Sequence, residues 1–157
     1  MSEPNQNRLV AAHAEVKAEI SRTDNKVALL LAFAVAVLAG VWTVGDKLTL
    51  STPAGIAAAV ADTVAAGLVL RSVAALLSGV RPSLTGGHGF TLWATLTPEQ
   101  VSDHAARWDL AADVAGLSRL TVAKYEAIQR AVDLLKRGGA VLVVAAVLAV
   151  GGALWTR

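Results

Sequence analysis

The side chains able to do chemistry in this 157-residue chain are three histidines, twelve carboxylates and fourteen basic residues, with no cysteine. Thiolate catalysis, disulfide scaffolding and cysteine zinc sites are thereby excluded. His13, His88 and His104 fall in different segments without metal-ligand spacing, so they read as isolated surface histidines. Asp103, Asp109 and Asp113 stud one expected helix among arginines, the ordinary pattern of a solvated face. Gly86, Gly87 and Gly89 surround His88 but lack the lysine and spacing of a phosphate loop or a dinucleotide fingerprint. No catalytic constellation is recognised, and the chain is read as a non-enzyme with no catalytic residue and no metal.

Binding chemistry is better supplied. The backbone amides of GGHGF, residues 86–90, can form an anion-holding nest, and Arg81, Arg107, Arg119, Lys124 and Arg130 can bring charge to a phosphate. Trp93, Trp108 and Tyr125 can stack on a base. A flexible loop and packed aromatics would leave the same pattern. A net charge of +2 is no nucleic-acid footprint unless the basic residues cluster, so no nucleic acid is expected as a partner.

The elements that must carry these residues are set by composition. The chain is 55% hydrophobic and only 17% charged, with a mean hydropathy of +0.56, against about one quarter charged in soluble domains. Residues 27–44 run without a charge, and an 18-residue helix spans roughly 27 Å, close to a hydrocarbon core of about 30 Å. Residues 138–156 form a second such run, with Trp155 at the depth where an aromatic ring prefers the membrane interface. Residues 54–80 form a third, interrupted by Asp62 and Arg71, each costing on the order of 2.5 to 3.5 kcal/mol at a span centre. Nine residues at about 100° each put those two charges on opposite faces, so they cannot pair within the helix. Asp62 then either reaches toward the loop at residues 45–53 or lines a polar path through an oligomer, while Arg71 snorkels toward Arg81.

The fold class that follows is an all-α membrane protein: three transmembrane helices, an amphipathic N-terminal helix and a small cytoplasmic helical region. Residues 1–26 and 81–137 hold most of the lysines and arginines, whereas residues 45–53 hold only Lys47 and the tail only Arg157. The positive-inside rule therefore places the N-terminus and residues 81–137 in the cytoplasm and residues 45–53 outside, in a multi-pass inner-membrane protein without a cleaved signal peptide. Leu9, Ala12, Val16, Ile20 and Thr23 make a narrow stripe on the first cytoplasmic helix, which needs a partner. Thr97, Pro98 and Gln100 form a capping-box start, followed by a helix with Val101, Ala105, Trp108 and Ala112 on one side. A break is expected near Gly116, before a second helix that carries Val122, Tyr125, Ile128, Val132 and Leu135 and can continue into the last span. Small residues such as Gly40, Gly67, Gly151 and Gly152 let spans approach closely and favour a homo-oligomer.

Three segments carry a resemblance. EISRTDNKVALLLA, residues 19–32, places Arg22, Thr23, Asp24 and Lys26 as an R-T-D-x-K box just ahead of the first span. RPSLTGGHGFTLWATLTPEQ, residues 81–100, has a basic-proline exit, a glycine loop and the pair Trp93 and Ala94, and RLTVAKYEAIQRAVDLL, residues 119–135, leads into the last span. In these blocks, which extend over most of the chain from about residue 15, it resembles the transmembrane effectors of the Pycsar antiphage systems. That resemblance implies an effector switched on by cyclic UMP or cyclic CMP from a partner pyrimidine cyclase, which then impairs the inner membrane and brings about abortive infection. Asp62 and Arg71 make the middle span more polar than the family pattern. The candidate ligand-binding residues are Arg22, Thr23, Asp24, Lys26, Gly86, Gly87 and Trp93, with no cofactor beyond the activating nucleotide. Arg22 and Lys26, four apart on one helical face, can equally meet lipid phosphate, and Asp24 can pair with a basic residue of the second cytoplasmic segment. The competing readings are a holin-like or toxin-like protein that acts without a nucleotide, and a membrane scaffold that recruits a protein partner.

Overall fold

The computed structural model describes residues 3–48, 50–80, 90–106 and 109–155. Every regular element among the described residues is a helix, with no strand, in the order α1 (Glu3–Gly45), α2 (Pro53–Val80), α3 (Phe90–Trp93), α4 (Pro98–Ala106) and α5 (Leu110–Trp155). Helices α1, α2 and α5 are long and apolar enough to cross a membrane. The chain divides into two compact units, one within Met1–Asp24 and Val80–Tyr125, the other within Asn25–Gly79 and Glu126–Arg157.

Three helix starts, those of α2, α4 and α5, have a visible cause. Thr52 caps α2, its hydroxyl accepting from the Gly55 amide at 3.0 Å, and Pro53 fills the first position, where an amide would lack a partner anyway. Thr97 and Gln100 close a reciprocal capping box at α4, with the Thr97 amide donating to Gln100 Oε1 at 3.0 Å and the Gln100 amide to Thr97 Oγ1 at 3.4 Å. Asp109 caps α5 by accepting from the amides of Ala111 and Ala112 at 3.0 and 3.3 Å.

That third cap corrects two sequence expectations. Asp109 starts a new helix, so the break falls before it and α5 runs unbroken through Gly116. A glycine inside a helix costs only about 1 kcal/mol, far too little to end a 46-residue element. The acids Asp103, Asp109 and Asp113 accordingly lie on α4, at a cap and on α5, and do not form one face. The short α3, within a stretch read only as loop and lead-in, is also new.

In the membrane-type unit the buried residues of α2 are Gly55, Ala58, Asp62, Ala65, Val69, Ser72 and Leu76. Their separations alternate three and four, the spacing of a left-handed coiled-coil seam. Val27, Leu76 and Ala131 form one buried cluster and Ala34, Val69 and Leu135 another, each drawing one residue from α1, α2 and α5. The seam is lined mainly by small residues because lipid tails are as apolar as leucine, and close approach is then what holds spans together. At Gly138 a methyl group would stand 2.9 Å from Val69 Cγ2 and 3.3 Å from the Ala65 carbonyl oxygen. Nearby, the buried Ser72 hydroxyl donates to the Ala131 carbonyl at 2.7 Å, tying α2 to α5. The outward faces carry Leu29, Phe33, Val35, Val60, Val64, Val143 and Val147, each at least 49% exposed. So much open apolar surface is stable only against lipid.

Gly138→Val is therefore expected to lower the melting temperature of the detergent-solubilised protein by many degrees, whereas Gly139→Val, where nothing lies within 4 Å, changes it little. Ser72→Ala should cost about 0.6 to 1.7 kcal/mol. Equal effects at the two glycines would contradict the seam.

Candidate ligand-binding site

The other unit pairs the first part of α1 with the first part of α5. Along α1 the less exposed positions are Leu9, Ala12, His13, Val16, Glu19, Ile20 and Thr23. To the stripe read from sequence, which already ends on Thr23, the structure thus adds two polar members, His13 and Glu19, and both reach α5. His13 Nε2 lies 2.9 Å from Asp113 Oδ2, both side chains being largely buried, so His13 is not an isolated surface histidine. Glu19 Oε1 accepts the hydroxyl of Tyr125, and its Oε2 accepts from Arg22 at 3.2 Å. Further along, Lys124 Nζ donates to Asp24 Oδ1 at 2.6 Å, the pairing expected of Asp24. Partners 13 with 113 and 24 with 124 rise together, so the two segments run parallel.

Between these contacts lies a cleft of about 340 Å³, lined by Glu15, Val16, Glu19 and Arg22 of α1 and Ser118, Thr121, Val122 and Tyr125 of α5. That is near the lower end for small-molecule sites, of about 300 Å³ and upward. Its chemistry is mixed: two carboxylates that accept, one guanidinium that donates, and one phenol ring with an apolar face. The hydroxyls of Ser118 and Thr121 donate to the carbonyls of Val114 and Leu117, leaving their oxygens as acceptors toward the cleft. Val122 is 58% exposed at the cleft, and the buried position beside it is Thr121.

The residues singled out from sequence are placed differently from one another. Arg22 lines the cleft with its side chain largely exposed. Thr23 is fully buried, and its hydroxyl donates to the Glu19 carbonyl at 2.8 Å, so it serves packing next to the cleft. Asp24 is half-exposed and held by Lys124. Lys26 is exposed on α1 in the membrane-type unit. Trp93 closes α3, is 39% exposed and is not among the cleft's lining residues. Gly86 and Gly87 lie outside the described residues, as do Arg81, His88, Arg107 and Trp108. Among the described residues no group of three His, Cys, Asp or Glu side chains stands ready for a metal. The residues that sequence reasoning missed are Glu19 and Glu15. Helical periodicity puts Glu19 off the stripe, but the structure leaves it half-buried beside the stripe, where it accepts from Tyr125 of α5.

The family model described as the Pycsar effector protein domain matches residues 8–151. No curated protein matches the chain. No solved structure matches it either.

The coupling of Glu19 to Tyr125 should be measurable. In a double-mutant cycle with Glu19→Gln and Tyr125→Phe, read from unfolding in detergent, about 1 to 2 kcal/mol of coupling is expected for this part-buried charged hydrogen bond. The exposed pair Arg130 and Glu126 should give below about 0.5 kcal/mol in the same assay. Equal couplings would contradict the special place of Glu19.

Proposed function

The chain belongs to the Pycsar effector family, and on that premise we propose that the cleft at Glu19, Arg22 and Tyr125 takes a cyclic pyrimidine nucleotide, cyclic UMP or cyclic CMP, made by a partner cyclase. Family membership makes the protein a membrane effector of antiphage defence and implies a cyclase partner and a cyclic-nucleotide signal. The observation that carries the finer reading is that three kinds of group a cyclic nucleotide needs meet in one cleft within one unit.

Each group has a role by its chemistry. The Arg22 guanidinium, exposed at the cleft, is the natural partner of the cyclic phosphate, since a charge-assisted hydrogen bond is about twice as strong as a neutral one. The Tyr125 ring offers a face for the base, a contact that tolerates either pyrimidine. Glu15 and Glu19 accept hydrogen bonds, which suits the amino group of cytosine, the ring N–H of uracil and the free ribose 2′-hydroxyl. Glu19 already holds both Arg22 and Tyr125. A ligand that recruits Arg22 loosens that hold, so binding and a change in the α1 to α5 contact are one event.

The orientation proposed from the lysine and arginine distribution puts this unit in the cytoplasm, where the signal is made, and the loop at residues 45–53 outside the inner membrane. Lys26, four residues after Arg22 on α1, then meets lipid phosphate at the interface. Second copies pack through small residues; Gly67 and Gly151 have nothing within 4 Å in the single chain. Membrane impairment and abortive infection follow from the rearranged assembly.

Calorimetric titration of the detergent-solubilised protein is expected to give saturable binding of cyclic UMP or cyclic CMP and none of cyclic AMP or cyclic GMP. Arg22→Ala and Tyr125→Ala should each weaken it about tenfold or more, the worth of roughly 1.4 kcal/mol. Purine binding of equal strength, or an Arg22→Ala variant that binds like the parent, would overturn the assignment. Toxicity of the expressed protein in cells without any cyclase would favour the nucleotide-independent reading.

A further inference from the structure

The membrane-type unit holds a second polar feature, away from the cleft. Asp62 sits on the buried seam of α2, only 9% exposed, and its Oδ1 has no hydrogen-bond partner. It lines a cavity of about 510 Å³ with Leu38, Val41, Trp42, Gly45 and Asp46 of α1 and the turn that follows it, and with Ala66 of α2. An unpaired buried carboxylate is costly enough that some cation or proton must compensate it. The cavity is roomy, since a water molecule takes about 30 Å³ of liquid volume.

Three sources of negative potential converge there. Asp62 is the first. Asp46, at the same cavity, is the second; it is largely exposed and is only loosely countered by Lys47, whose Nζ lies 4.0 Å away. The third is the C-terminal end of α1 at Gly45, where a helix carries roughly half a negative charge. Gly45 also lets the carboxylate close in: a methyl group at that position would stand 3.1 Å from Asp62 Oδ2. Every donor atom available is oxygen, which selects hard cations over transition metals. With two carboxylates, no cage of three or more acidic or histidine ligands among the described residues, and space for water, the arrangement suits an ion that keeps part of its hydration shell.

We propose that the Asp62 cavity binds a hydrated divalent cation of the magnesium or calcium kind, held by Asp62 and Asp46 at the end of the membrane-type unit nearest the loop at residues 45–53. This site is independent of nucleotide binding, and it gives the buried carboxylate the partner it lacks.

The test is the thermal midpoint of the full chain in detergent, titrated with magnesium chloride or calcium chloride against choline chloride at matched ionic strength. A saturable rise specific to the divalent salts is expected, because a ligand that binds only the folded state raises its stability. Asp62→Asn should weaken the half-saturating concentration at least tenfold while melting no lower than the parent without cation, since it removes a buried charge. Gly45→Ala keeps both carboxylates but crowds Oδ2, and should weaken the response in the same direction; with Asp46→Asn it serves as the readout if Asp62→Asn does not fold. A parent protein with no divalent-specific rise, or an Asp62→Asn variant that responds like the parent, would overturn the proposal. Magnesium active and calcium inactive, or the reverse, identifies the ion and supports it.

Discussion

In hydrocarbon nothing is gained by hiding one apolar helix behind another, so spans cohere only where their backbones come close enough for dispersion and a few hydrogen bonds to act. Gly138 is where this constraint is tightest, with no room for even one methyl group against Val69 and Ala65. The rest of the membrane-type unit follows from it. Alanines at 58, 65, 131 and 145 keep the seam shallow, the Ser72 hydroxyl finds the Ala131 carbonyl, and Leu29, Phe33, Val60, Val143 and Val147 are left on the outward faces. A carboxylate on such a seam has few partners within reach, which is why Asp62 stands out.

The second unit obeys the opposite rule. Its α1 segment is only thinly apolar, and the contacts that hold it to α5 are polar: His13 with Asp113, Glu19 with Tyr125, Asp24 with Lys124. Polar contacts of this kind can be exchanged for contacts with a ligand at modest cost, whereas a close-packed glycine seam cannot. The proposed nucleotide response draws on both kinds of interface, and α1 and α5 each contribute to both units.

Much of this was written plainly in the sequence. The three apolar runs, the Thr97 capping box and the stripe on the first helix each rest on a local rule of periodicity or capping, and local rules read well. A lone glycine such as Gly116 is a weak break signal, while Asp109, which resembles a surface acid in sequence, is a far stronger helix starter. His13 passed for a surface residue because its partner lies a hundred positions away. Glu19 was overlooked for the same reason, since only the folded chain brings Tyr125 to it. The glycines at 86 and 87, attractive as an anion nest, lie outside the described residues, so the candidate site rests on α1 and α5.

Dye release from vesicles measures the nucleotide signal and the membrane lesion at once. Purified protein reconstituted into vesicles of bacterial lipid should retain the dye until cyclic UMP or cyclic CMP reaches the side bearing α4, and release it after that addition. Release at the same rate without nucleotide, or an intact barrier when the nucleotide is saturating, would contradict the account.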